Sequence, residues 1–414
     1  MATKYEFPER ARCGYQKLLP NPFIKADGSV VASAEEWPEQ REYLKAMLEF
    51  YMYGRTPPGP YGTVGEVVES RRIHDGAGIE ETVKITCGAA APVSFELTVR
   101  RPPKEGPLPV VVAMGGEFRP GMSFYDYLIS IGVSEKDARI YLPCPIEEEL
   151  LERGYALAFC KVTDLCPDKN GYDAKESPLA AAYPGYDWRA VAMWSFGLQR
   201  AADWLLGCGW ADGDRLISMG GSRGGKVAMH AAAYDERFAA CVAAISGCGG
   251  AGNFRYLGGR MGRGLGQIES VGSITSKGGL GYFFADRLAD FGRRNGWYEP
   301  GDECYLPFDL HTLRSLVAPR AIISIDGLDD VWCGAFGTQL SFHASQPVFN
   351  FLGADGKNAM LFREGGHYIS EADWREALAF CDNALCGMNV PHSYVTKCFH
   401  NVHRIYFTDY FDYE

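Results

Sequence analysis

The spacing of hydrophobic positions changes period twice along this chain. Between residues 35 and 53, Trp37, Tyr43, Leu44, Met47, Leu48 and Tyr51 recur every three or four residues, which predicts an amphipathic helix opening at Ser33 or Ala34. The run Pro57-Pro58-Gly59-Pro60 is expected to end it. Three segments rich in strand-forming residues follow, Gly65 to Ile73, Ile79 to Thr86 and Val93 to Arg100. Gly and Pro turns separate them, so they predict an antiparallel sheet edge. The pattern then becomes near-continuously apolar in Leu108 to Met114, Tyr155 to Phe159, Leu216 to Met219, Ala239 to Ile245 and Ala321 to Ile325. Strands of that kind are buried on both faces. They alternate with helical stretches such as Trp188 to Leu206 and Gly337 to Leu352, and the expected architecture is a mainly parallel sheet in a three-layer α/β/α sandwich. Residues 249 to 307, rich in Gly, Arg and aromatics, have no period and are expected to form loops over the sheet edge. A last helix is expected over Asp373 to Leu385. The division that follows is an amino-terminal arm and helix (1–62), a main α/β domain (63–385) and an extension without an assigned role (386–414).

Composition narrows the partners. With 414 residues, 47% of them hydrophobic, the chain has ample material for a large core. A formal charge of −11 with no cluster of Lys or Arg argues against nucleic acid or an anionic membrane surface as partner. The first residues lack an apolar leader and no run approaches the ~20 apolar residues of a membrane helix, so a cytoplasmic protein is expected. The thirteen cysteines are scattered, and Cys160 and Cys241 lie in apolar runs as small hydrophobes. Cys386, His392, Cys398, His400 and His403 are of metal-ligating type, but their spacing fits no zinc pattern. Neither a metal nor a cofactor is expected.

The chemistry is concentrated in Gly220-Gly221-Ser222-Arg223-Gly224, a G-x-S-x-G directly after the apolar run Leu216 to Met219 and before the helix-forming Val227 to Ala233. Strand, tight turn and helix in that order form a nucleophile elbow, which leaves the serine oxygen exposed above the sheet. A serine needs a base. His367, in Gly365-Gly366-His367 after the apolar run Ala359 to Phe362, is the histidine placed at a strand end, whereas the other seven fall in helices, turns or the tail. The base needs an acid, and Asp330 stands after the strand Ala321 to Ile325 in Asp326-Gly327-Leu328-Asp329-Asp330. Asp329 and Asp326 are its rivals, separated from it only by register. The chain order Ser222, Asp330, His367 is that of the α/β-hydrolases. Gly115-Gly116-Glu117 and the N–H groups of Gly224 and Gly225 are candidate oxyanion donors, and Arg223 adds a cation beside the nucleophile.

Longer stretches around these residues resemble the glucuronoyl esterases, carbohydrate esterase family 15, of the bacterial type. The resemblance rests on Gly221-Ser222-Arg223-Gly224-Gly225-Lys226, Tyr234-Asp235-Glu236-Arg237-Phe238 and Ile245-Ser246-Gly247-Cys248-Gly249-Gly250. Leu19-Pro20-Asn21-Pro22-Phe23, the Glu36-Trp37 helix ending in Tyr53-Gly54, Trp194 to Arg200, Leu316-Val317-Ala318-Pro319-Arg320 and Gln346-Pro347-Val348-Phe349 extend it over residues 19 to 385. It implies an α/β-hydrolase that cleaves esters of glucuronic acid through an acyl-enzyme without a metal. By that resemblance Arg223 belongs to the oxyanion site, Lys226 holds sugar hydroxyls and Trp332 contacts the sugar. Many members carry the acid as a glutamate at the position of Ile245, and its absence here favours Asp330. The glutamate of fungal members finds no counterpart in Ser276 to Tyr282, and Gln267 is the candidate for an upstream glutamine. The expected partner is a small-molecule or oligosaccharide ester. Two other functions fit the same residues: an acetyl or short-acyl carbohydrate esterase, and a non-catalytic carbohydrate-binding relative.

Overall fold

The apolar runs form the centre of a nine-stranded sheet because each sends alternate side chains to opposite faces and both faces are covered there. In the computed structural model, residues 4–115, 124–138, 143–255, 269–293, 301–388, 394–395 and 399 are described. The strands are β1 (Val64–Ile73), β2 (Gly78–Cys87), β3 (Val93–Arg101), β4 (Leu108–Gly115), β5 (Ala156–Lys161), β6 (Ala211–Gly221), β7 (Phe238–Ala244), β8 (Ala321–Gly327) and β9 (Asn358–Arg363). Their order is β1-β2-β3-β5-β4-β6-β7-β8-β9. The first three pair antiparallel, β3 joins β5 antiparallel, and every later pairing is parallel. In β7, Cys241 and Ala243 face one core while Ala240, Val242 and Ala244 face the other. That two-residue alternation inside an unbroken apolar run is what a doubly covered strand requires.

Helices α1 (Trp37–Leu48), α2 (Ala190–Leu205), α3 (Arg223–Tyr234) and α4 (Ala335–Phe351) contribute to the first core, and α5 (Glu371–Cys386) covers the second. The first helical run covers the residues its periodicity predicts, opening with a 3-10 turn over Ala34–Glu36. Regular α-helix runs from Trp37 to Leu48, a wider turn carries Glu49–Tyr53, and Gly54 at φ 76° stops it before the proline run is reached. Gly54 is required there because a Cβ would lie 2.2 Å from the Asp187 carbonyl oxygen. At the opposite end of the sheet, the backbone of Tyr394 and Val395 bridges β9 at Met360. His392, Cys398, His400 and His403 lie outside the described residues. No helix among the described residues is long and apolar enough to cross a membrane.

Candidate active site

Three strands of the parallel half of the sheet deliver the candidate residues from their carboxyl ends: β6 leads into Ser222 and, beyond the intervening β7, β8 leads into Asp330 and β9 into His367. Ser222 has φ 54° and ψ −122°, a conformation that costs a non-glycine residue free energy and persists only where the surroundings impose it. They do so here. The Ser222 N–H donates to the Ala244 carbonyl at 3.0 Å, and the Ser222 carbonyl accepts from Gly225 and Lys226 to begin α3. A Cβ at Gly220 would sit 2.4 Å from the Gly224 backbone, and one at Gly225 would sit 2.7 Å from the Ser246 Cβ. The glycines of the motif therefore let β6, the turn and α3 close on one another.

His367 Nε2 lies 2.9 Å from Ser222 Oγ, and His367 Nδ1 lies 2.7 Å from Asp330 Oδ2. With the proton on Nδ1, the ring donates to the carboxylate and accepts from the serine. Asp330 is buried, and its Oδ1 accepts from the backbone N–H of Trp332 at 2.9 Å and of Cys333 at 3.3 Å. The two rivals have other places. Asp329 Oδ2 accepts from Gly365 N at 2.9 Å and so pins the histidine loop to the acid loop. Asp326 is fully buried, with the Thr338 side chain beside its carboxyl group. Burial, reinforced by the Asp330 carboxylate, pushes Asp326 up to about 7. Arg363 holds the other side of the histidine loop through Asp373 at 2.7 Å and the Gly366 carbonyl at 3.3 Å.

Around the serine, one expectation fails and others acquire partners. The Gly225 N–H cannot serve an oxyanion because the first helical turn consumes it on the Ser222 carbonyl at 3.0 Å. Gly116 and Glu117 lie outside the described residues, as does Gln267. Arg223 is 46% exposed and pairs with Asp168, which also accepts from the Tyr282 hydroxyl. Burial alone would lower the Arg223 pKa, but Asp168 more than offsets it and raises the value. Lys226 is not a solvated first-turn lysine. It is 1% exposed, with Nζ donating to the Ser246 carbonyl at 2.7 Å and to Glu269 Oε2 at 2.9 Å. Burial works against its charge, and Glu269 holds it above its ordinary range. Trp332 is 52% exposed, and its carbonyl accepts from the Glu269 N–H at 3.3 Å.

Sequence reasoning missed Glu269, Asp168, Tyr282 and Cys333. A signal for Glu269 was present, since no other Asp or Glu occurs between Glu236 and Asp286. A lysine in the first turn after the elbow, if buried, needs an anion, and that stretch offers one. Asp168 and Tyr282 come from irregular segments without a period to place them.

The family model described as fungal glucuronyl esterase matches residues 151–353. A carbohydrate esterase from an unknown prokaryotic organism is 26% identical over 89% of this chain and 90% of its own. A 4-O-methyl-glucuronoyl methylesterase of Schizophyllum commune is 25% identical over 92% of this chain and 86% of its own. The structure matches that of a carbohydrate esterase family 15 glucuronoyl esterase from Caldicellulosiruptor kristjansonii with a TM-score of 0.74 and 27% identity, covering 96% of this chain and 97% of that one. Over most of its length the chain is similar to glucuronoyl esterases of carbohydrate esterase family 15. Its fold is accordingly that of an α/β-hydrolase with an antiparallel edge of three strands. Ile245 stands at φ 40°, buried, with its N–H on the Ile325 carbonyl at 2.7 Å and its own carbonyl accepting from the Cys333 thiol at 3.0 Å.

Proposed function

We propose that this protein is a family 15 esterase and hydrolyses an ester whose acyl part is a glucuronate-type uronic acid, through a serine acyl-enzyme. The observation that carries the reading is the continuous chain from Ser222 Oγ through His367 to Asp330, at 2.9 and 2.7 Å, at the carboxyl end of the sheet. His367 takes the proton of Ser222 as the serine attacks the ester carbonyl, and Asp330 stabilises the imidazolium that results. The same proton passes to the departing alcohol. Water then attacks the acyl-enzyme with His367 again as base, releasing the uronic acid and restoring the serine.

The groups beside the serine fit an acyl portion that is itself a sugar. Arg223, fixed by Asp168, supplies positive charge where the oxyanion develops. Trp332 offers an exposed ring to the sugar face, and Glu269, its carboxylate held by the buried Lys226, is the acceptor for its hydroxyls. Assay of methyl glucuronate against acetylated xylose tests the reading. Turnover of the uronate ester, abolished in Ser222→Ala, is the expected result, and activity confined to the acetyl ester overturns it. Failure of Ser222 to react with a fluorophosphonate in folded protein would turn the choice to a binding relative.

A further inference from the structure

We propose that Asp330, Cys333 and His367 form a site for a borderline-soft divalent cation, zinc foremost, whose occupation switches the serine site off. The site follows from the turn after β8. The Cys333 N–H donates to Asp330 Oδ1 at 3.3 Å, which folds the thiol back beneath the carboxylate, and the His367 loop closes over both. Cys333 Sγ lies 3.7 Å from His367 Nδ1, Nδ1 lies 2.7 Å from Asp330 Oδ2, and one ligand atom from each residue falls within 4.8 Å of the others.

These separations can be set against what zinc demands. Tetrahedral coordination with Zn–N of about 2.0 Å, Zn–S of about 2.3 Å and Zn–O of about 2.1 Å puts sulfur about 3.6 Å from nitrogen and nitrogen about 3.4 Å from oxygen. The sulfur–nitrogen distance already fits. The nitrogen–oxygen pair must open by about 0.7 Å, which a swing of the partly exposed His367 ring supplies (its side chain is 32% exposed). The Cys333 thiol directs its proton to the Ile245 carbonyl rather than to the ring, so thiol and imidazole do not already satisfy one another. The carboxylates of Glu269 and Asp330 outnumber the ammonium of Lys226 around the thiol, a field that favours a cation. A thiolate and an imidazole select zinc or cadmium over magnesium and calcium, which take oxygen ligands.

The consequence for catalysis is a matter of tautomers. A metal on Nδ1 takes that lone pair, so the ring's proton moves to Nε2, and Nε2–H can no longer accept the Ser222 proton. The thiol loses its proton to solvent as the Cys333–metal bond forms, so one proton leaves per cation bound.

Cadmium chloride titrated into the full chain reports the site through the thiolate-to-metal ultraviolet band, a readout independent of esterase activity. One equivalent with that band is expected, with zinc chloride displacing it. Cys333→Ser should abolish the band, and Cys333→Ser and His367→Gln should each weaken cadmium binding at least about tenfold. In wild type, turnover should fall in step with zinc occupancy and return on adding EDTA. Absence of the band at stoichiometric cadmium overturns the proposal, as does a band or zinc inhibition that persists unchanged in Cys333→Ser, which would point to the exposed Cys386. His367→Gln carries the comparison should Cys333→Ser fail to fold.

Discussion

At the residue scale, three aspartates within five positions have three different fates, set by register along one turn. Asp330 reaches the imidazole, Asp329 reaches the Gly365 N–H, and Asp326 stays buried at the end of β8. Asp330→Asn should therefore lower kcat by about 10⁴, because an amide cannot hold the ring in its reactive tautomer, whereas Asp329→Asn should cost far less. Steady-state kinetics on the two variants check this, and the reverse ranking would place the acid at Asp329. Asp326 makes a prediction about stability. Its folded pKa of about 7 lies above the ordinary 3.8, so between those values the folded state holds a proton that the unfolded state has released. Stability from this group is intact below the lower value, falls as pH rises through the window and is constant above it. Asp326→Asn removes the loss. The variant should match wild type at pH 4 and exceed it by a few kcal/mol at pH 8 in urea or thermal unfolding.

At the scale of elements, the elbow was legible because its requirements are local. An apolar strand, a G-x-S-x-G and a helix-forming run are contiguous in the chain, and their order restricts the chemistry. The strands were legible for a similar reason, since an unbroken apolar run of strand length has few other places to go. The edges of elements were less so. The helical run that continues α1 ends at Gly54, where the backbone packs against Asp187 more than 130 residues away, and no local pattern carries that constraint. Glu269 reaches Lys226, Asp168 reaches Arg223 and Tyr282 reaches Asp168 from stretches organised by tertiary contacts, so their residue types were visible but their convergence was not. The packing of the elbow yields its own prediction. Gly225→Ala would set a Cβ 2.7 Å from the Ser246 Cβ and 3.0 Å from the Ala244 carbonyl, forcing α3 away from β7. Loss of roughly 1–3 kcal/mol of stability is expected, together with a large fall in kcat as Ser222 is displaced. Retained kcat would mean that the turn tolerates the shift without moving the serine.

At the scale of the whole molecule, the amino-terminal segment meets the elbow helix at its far end. Arg41 of α1 is buried. Its Nη2 donates to the Ala233 carbonyl near the end of α3 at 2.6 Å, and its Nε donates to the Leu316 carbonyl at 3.1 Å. Its remaining nitrogen pairs with the exposed Glu236 at 2.9 Å. The guanidinium satisfies the Ala233 carbonyl in the last turn of α3 and complements the partial negative charge of that terminus, while the Leu316 carbonyl also accepts from Arg320. Ser222 and Arg223 stand at the opposite end of the same helix, three turns away, so α1 supports the catalytic end only through the body of α3. Arg41→Ala should therefore reduce stability by about 2 kcal/mol, because two buried carbonyls lose a charged donor, while kcat at a temperature where the variant remains folded changes less than about twofold. Chemical unfolding and steady-state kinetics on the same preparation decide between the alternatives. Stability loss with intact turnover fits an anchor at the far end of α3, whereas a large fall in kcat without loss of stability would mean that α1 sets the position of the serine itself.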